Sequence, residues 1–270
     1  MAVTEERDVW TTTVEGVGHG VRYRYRLDGN FALADPASGW QPDGVHGPSA
    51  VVDPARFTWT DDGWRGVELA DTVLYELHVG TFTPEGTFDG MIGQLDRLLA
   101  LGVTSIELMP VNAFPGRRNW GYDGVFPSAV QESYGGPDGL ARLVDAAHER
   151  GLGVVLDVIY NHLGPEGSVH ARYGPYFTDA FATPWGDALN VAQAHSDEVR
   201  RMCIESATRW IEDFHLDALR LDAVDTIHDP SARPFLAELI AAVHAAGDRA
   251  GRTVLTFVES AANDPRTVRP

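Results

Sequence analysis

Asp222 and Glu259 each close a short apolar run, Leu216 to Asp222 and Val254 to Glu259. Two carboxyls placed where buried strands surface can divide acid–base and nucleophilic work between them. Ionisable groups at such positions are costly unless they are partnered or used. In a strand, Ala218, Arg220 and Asp222 share one side, while Leu219 and Leu221 share the other. With the leucines against outer helices, Arg220 lies beside Asp222 and is expected to hold it ionised by charge and hydrogen bonding. Glu259 follows Phe257 on its own side and has no neighbouring base in sequence. A less polar surrounding is therefore expected to raise its pKa and keep a proton ready for donation. Two carboxyls in such contrasting settings suggest glycoside hydrolysis, and a separation of roughly 5 to 5.5 Å would mean retention of configuration. The same residues would also serve as a plain Arg–Asp ion pair and a capping glutamate.

A third charged site follows the apolar run Leu156 to Tyr160. Asn161 and His162 are placed to donate hydrogen bonds to sugar hydroxyls, and Asp157 to orient loops or Arg220 from within the fold. The loop Arg117-Arg118-Asn119-Trp120-Gly121-Tyr122-Asp123-Gly124 combines flat aromatics, a carboxylate and glycines. Aromatic faces suit the apolar faces of sugar rings, and polar groups such as Asp123 read hydroxyls. The alternative for this loop is ordinary surface packing. Tyr173, Tyr176, Phe177 and Trp185 permit the sugar-stacking reading more weakly. No Gly-x-Gly-x-x-Gly or phosphate-binding loop is present, and His170, His195 and His215 lack metal-ligand spacing. No cofactor and no metal is expected.

Elements able to position these residues follow from the hydrophobic pattern. After residue 72 apolar strands alternate with amphipathic helices, the pattern of βαβ units and a parallel sheet. Strands are expected at 73–79, 104–109, 153–159, 217–222 and 254–259. Helices are expected over Phe88 to Leu101, Asp138 to Arg150, Ser196 to His215 with a capping serine, and about Arg233 to Ala246. The connections 110–136 and 163–195 are long, and loops of that length in a compact domain commonly carry function. Before them, residues 1–71 read as a partial β-sandwich and linker. Val9 to Val14 and Val21 to Leu27 look like half-buried strands, and Pro36, Pro42, Pro48 and Pro54 mark a loop-rich stretch toward a boundary near 66–71.

Composition narrows the function classes. The 270 residues are 44% hydrophobic, enough for a substantial core. The net charge of −18 and the absence of a basic stripe oppose binding to nucleic acid or to anionic membranes. No lysine is present, which excludes Schiff-base chemistry, and the single cysteine, Cys203, excludes an intramolecular disulfide. No apolar run is long enough to span a bilayer, and the polar start, Met1 to Arg7, is unlike a secretory signal. A cytoplasmic setting is expected.

Taken in order, Asp157-Val158-Ile159-Tyr160-Asn161-His162, Leu219-Arg220-Leu221-Asp222-Ala223-Val224 and Phe257-Val258-Glu259-Ser260 resemble the first three signature regions of the α-amylase superfamily, glycoside hydrolase family 13. The resemblance covers most of residues 10–270. It implies a (β/α)8 TIM barrel over 72–270, incomplete here with about five strands, and a carbohydrate-binding-like module before it. It also implies Asp222 as nucleophile, Glu259 as general acid/base, and Tyr122 stacked on the sugar with His162 and Arg220 hydrogen-bonded around it. The runs Phe114 to Gly124, Tyr134 to Leu140, Asn161 to Gly167 and Asn263 to Arg266 are similar to a trehalose-releasing subfamily, implying a malto-oligosaccharide substrate such as malto-oligosyltrehalose. Glycogen branching and debranching members carry the same acids, and a non-catalytic carbohydrate-binding remnant is the reading from another class. The chain departs from the subfamily at Asp225, where histidine is common, and at Ala261, where an acid is frequent. The fourth signature, a His-Asp pair carrying a transition-state-stabilising aspartate, is absent. With only five barrel strands counted, the sequence reads as part of a longer enzyme, inactive alone.

Overall fold

The computed structural model describes residues 2–3, 10–29 and 31–265. Its centre is a five-stranded parallel sheet of β1 (Leu74–Leu77), β2 (Ser105–Leu108), β3 (Gly153–Val158), β4 (Ala218–Leu221) and β5 (Leu255–Val258). Each strand pairs with its sequence neighbour, so spatial order equals chain order and β1 and β5 are the two edges. This is the winding of a TIM barrel over five strands, with all five expected strands present and each shorter by one to three residues.

Burial follows the two-sided pattern of a parallel sheet in the three central strands, while β1 is largely exposed and β5 half-buried. All six residues of β3 are buried, and Leu219 and Leu221 join the apolar core with residues of the surrounding helices, among them Trp210, Phe235 and Leu239. The opposite side of β4 carries Arg220, which is level with Asp157 on β3 and Phe257 on β5. Strand register therefore sets the polar interior.

The helices depart from expectation in instructive places. Phe88 to Leu101 is two helices, α1 (Phe88–Ile92) and α2 (Leu95–Ala100), parted at Gly93 and Gln94. Gly90 and Gly93 weaken helical continuity, while Phe88, Met91, Leu95 and Leu98 still reach the core. α3 (Gly136–Glu149) begins two residues early. In α4 (Asp197–Glu212), Ser196 has helical backbone angles and makes no side-chain cap, so the expected capping serine is corrected. The acidic first turn, Asp197 and Glu198, is present. α5 (Phe235–Ala250) runs four residues further than expected, to Gly251 at φ +67°.

Before the barrel, Val21 to Leu27 is not one strand. Arg22–Tyr23 pairs with Ser49–Ala50, and Tyr25–Arg26 with Ala32–Leu33. Of the expected strand Val9 to Val14, Val9 lies outside the described residues, and Trp10–Thr11 pairs with Ala2–Val3. Residues 57–66 pack under the sheet: Trp64 stacks on His148, Trp59 stacks on His215, and Gly66 bridges Thr253. Both long connections contain structure. Asn112–Ala113 pairs with Phe126–Val130 in the first, and Phe177–Thr183 with Gly186–Leu189 as a hairpin in the second.

Candidate active site

The acids are set by the ladder continuing one step past the strands. The Asp222 amide donates to the Val158 carbonyl at 3.1 Å, and the Glu259 amide to the Leu221 carbonyl at 2.9 Å. Both side chains therefore emerge at the C-terminal ends of β4 and β5, where barrel folds gather reactive groups. Between them Ala223 adopts φ +43°, an unusual conformation for a residue with a Cβ. In that turn the Ala223 amide faces Glu259 Oε2 and donates to it at 2.9 Å.

Arg220 is the hub. Its Nη1 donates to Asp157 Oδ2 at 2.7 Å and to Asp222 Oδ1 at 3.0 Å, and its Nη2 lies 3.2 Å from Glu259 Oε2. Nε lies 3.8 Å from Glu107 Oε1 on β2. Glu107 was missed in the sequence, although an acid inside the apolar run Ser105–Leu108 carries the same signal that singled out Arg220. Burial pushes its carboxyl pKa up, and the charge of Glu76 adds to that.

The expected pKa directions of the two acids are reversed. Burial raises the Asp222 pKa, opposed by the Asn161 hydrogen bond and reinforced by the charge of Glu259. The Glu259 pKa is lowered, first by the Ala223 amide and further by Arg220 and a hydrogen bond with Asp222. Phe257 does not wall Glu259 off: its side chain, on the edge strand, is 49% exposed, against 10% for Asp222. The pKa of Asp222 is thus pushed up and that of Glu259 down, while both Asp222 oxygens accept hydrogen bonds, from Arg220 and Asn161.

The remaining candidates fall into two groups. Asn161 Nδ2 donates to the Asp222 carbonyl at 2.8 Å and to Asp222 Oδ2 at 2.9 Å, so it grips the acid instead of standing free for a sugar. His162 is committed at both nitrogens, Nδ1 against Asn161 Oδ1 and Nε2 on the Tyr122 carbonyl at 2.9 Å. Burial lowers its pKa against the raising effect of the Tyr122 carbonyl; both partners are acceptors, so the ring donates to both only when protonated and to one of them when neutral. Tyr122 donates its hydroxyl to Asp157 Oδ2 at 2.9 Å. Asp157 Oδ2 therefore accepts from both Tyr122 and Arg220, and burial pushes the Asp157 pKa up to about 7.

Trp120 and Asp123 stand apart from the acids. Trp120 is 74% exposed and edges a cavity of about 500 Å³ with Glu76, His78, Thr81, Met109 and Tyr122. The Asp123 carboxylate accepts from Asn119 Nδ2 at 2.6 Å within its own loop. Asp225 ties the turn after Asp222 to the chain beyond Glu259, accepting from the Ser260 hydroxyl at 2.7 Å and the Ala261 amide at 2.5 Å. Tyr173 and Tyr176 pack elsewhere, on the Ala34 carbonyl and against His170. Among the described residues no cluster of His, Cys, Asp and Glu is arranged to hold a metal, and no helix is long and apolar enough to cross a membrane.

A half-buried arginine joining carboxylates at the C-terminal rim of a sequentially wound parallel sheet suits glycosidase chemistry, and residues 51–175 match the family model for the alpha-amylase catalytic domain. The chain therefore carries part of an alpha-amylase catalytic domain. It is 48% identical over 266 residues to malto-oligosyltrehalose trehalohydrolase of Saccharolobus solfataricus, covering 98% of this chain and 46% of that protein. To the protein of the same name from Arthrobacter ramosus it is 53% identical, covering 92% and 43%. A crystal structure of a candidate alpha amylase from Salmonella typhimurium superposes with a TM-score of 0.86 at 44% identity, covering 91% of this chain and 41% of the other. The chain spans just under half the length of these relatives.

Proposed function

We propose that the protein is a retaining glycoside hydrolase that cleaves the α-1,4-glucosidic bond next to the terminal trehalose of malto-oligosyltrehalose, releasing trehalose. The observation that carries the reading is Arg220 bridging Asp222 and Glu259 at the ends of adjacent strands. The trehalohydrolase names of relatives at about half identity support the choice of substrate.

In the proposed reaction Asp222 attacks the anomeric carbon while Glu259 protonates the departing glycosidic oxygen, and Glu259 then takes a proton from the water that resolves the glycosyl-enzyme. This requires Asp222 as the anion and the proton on Glu259, against the pKa directions of the unliganded pair. A sugar entering between the carboxyls breaks their contact. Arg220 and Asn161 remain on Asp222 and favour its anion, leaving the proton to Glu259. Tyr122, His162 and Trp120 are proposed to shape the sugar site, the first two from positions fixed by Asp157 and Asn161. A cytoplasmic setting belongs to the same proposal.

Product analysis tests it. The complete protein should release trehalose from malto-oligosyltrehalose and leave glycogen branching unchanged, and Asp222→Asn should abolish the release. New or lost α-1,6 branches without trehalose would move the assignment to a branching or debranching enzyme. No turnover of any α-glucan would favour a binding role.

A further inference from the structure

The hairpin within the connection after β3 returns to the site at its tip. Trp185 lies on the His162 ring, with centroids 4.3 Å apart and planes 9° from parallel. Further down the same hairpin Phe181 stacks on His228 at 5.1 Å and 24°, in the segment that follows β4. The hairpin thus spans the two strand-end loops that carry Asn161 and Asp222. Its tip is braced: Thr183 Oγ1 accepts from the Trp185 amide at 3.2 Å and donates to the Gly186 carbonyl at 3.0 Å.

Trp185 remains 51% exposed, so this stack is a principal contact holding a large apolar side chain at an open tip. Both His162 nitrogens face acceptor oxygens in the plane of the ring, and a ring so held can still rotate out of that plane. A parallel indole on one face opposes that rotation. From His162 the contacts continue without a gap: Nδ1 meets Asn161 Oδ1, and Asn161 Nδ2 holds both the carbonyl and the carboxylate of Asp222.

We propose that Trp185 is a positioning residue for Asp222, acting through the stacked His162 and the Asn161 amide, so that seating of the hairpin sets the orientation of the attacking carboxylate. The inference rests on the glycosidase reading of the Asp222 and Glu259 pair. It assigns the tip of the long connection a function in the reaction step, separate from gathering substrate.

Trp185→Ala and Trp185→Phe in the complete protein test it, by kinetics on malto-oligosyltrehalose and by nuclear magnetic resonance titration of the His162 ring. Misplacement of a reacting group by about 1 Å costs roughly 100-fold. Trp185→Ala is therefore expected to lower kcat by about 10- to 100-fold with KM within about threefold, and Trp185→Phe, which keeps a stacking face, to recover most of the loss. In Trp185→Ala the His162 pKa should rise toward its ordinary value as the ring becomes more hydrated. A higher KM with unchanged kcat would overturn the proposal, because Trp185 would then be a sugar platform; so would a Phe variant as impaired as the Ala variant, or an unmoved His162 titration. If the wild-type protein cleaves no such substrate, the glycosidase reading fails, and the His162 titration alone decides the link from the hairpin. Should Trp185→Ala not fold, Thr183→Val removes both tip hydrogen bonds and leaves the ring. A smaller fall in kcat is expected there, and wild-type kcat would overturn the inference.

Discussion

Asn161 holds Asp222 from a single amide nitrogen, which donates 2.8 Å to its carbonyl and 2.9 Å to its carboxylate. One side chain thereby fixes both the backbone turn and the acid it presents. Asp222 is 8% exposed, so water cannot readily replace the lost donor. Asn161→Ala is expected to cost about 1 to 3 kcal/mol in folding, the price of an unsatisfied buried acceptor. Removing a bond to the charged form also raises the Asp222 pKa further, so the acid limb of the kcat/KM profile should move to higher pH. Denaturant melts and a pH–rate profile check both. An unmoved limb would mean that Asn161 does not support the anion.

Asp157 predicts a pH dependence of stability. Its Oδ2 is used by Arg220 and Tyr122, while Oδ1 is buried without a partner. Burial raises its folded-state pKa to about 7 from an ordinary 3.8. The folded chain therefore binds the proton more tightly than the unfolded chain. The resulting stability is present in full below about pH 4 and is lost as pH rises through about 7. Asp157→Asn cannot lose a proton and should escape this decline. Unfolding free energies at pH 5 and pH 8 should fall more for the wild type than for the variant; parallel declines would refute the assignment.

The five strands, their order and the two acids were legible because apolar runs ending in charge are a local signal that parallel-sheet burial enforces. The directions of the acids' pKa shifts were not. They depend on the Ala223 amide, turned toward Glu259 by a positive φ, and on the open edge at β5, and neither leaves a mark in residue type. The contacts of Asn161 and His162 were half legible. Their position after β3 was correct, but which partner each meets depends on cross-strand register with Asp222 and on loop contact with Tyr122. Ser196 looked like a cap by composition, yet the chain enters α4 with helical angles one residue sooner.

Gly164 predicts coupling between the two long connections. A Cβ there would lie 2.1 Å from the Asp123 carbonyl oxygen, a backbone atom with no side-chain freedom to yield. The Gly164 amide also donates to the Gly124 carbonyl at 2.8 Å. Gly164→Ala must push the Tyr122–Gly124 segment away, carrying with it the Tyr122 contacts to Asp157 and His162. We expect kcat/KM to fall by about 100-fold, the scale of an ångström-sized misplacement. Activity within about threefold of wild type would show that Tyr122 is placed independently of this contact.

At the opposite end of the strands a buried polar group should control folding without touching the chemistry. Asp217, 1% exposed, accepts from Trp64 Nε1 at 2.6 Å and from the Val154 amide at 2.8 Å, and it meets His148 Nε2 at 2.9 Å. The other His148 nitrogen lies 2.8 Å from Asp61 Oδ2, and Trp64 stacks on the same ring. These contacts tie residues 57–66 to α3 and to the start of β4. Asp217→Ala strips a partner from all three neighbours at once and should cost about 3 to 5 kcal/mol, the scale for breaking a buried charged network. Trp64→Phe keeps an aromatic face on His148 and loses one hydrogen bond, so about 1 to 2 kcal/mol is expected. Because the acids sit at the other end of the strands, kcat/KM of Trp64→Phe should match wild type while its denaturation midpoint falls. A large activity loss with unchanged stability would contradict the separation of folding and reaction between the two ends of the sheet.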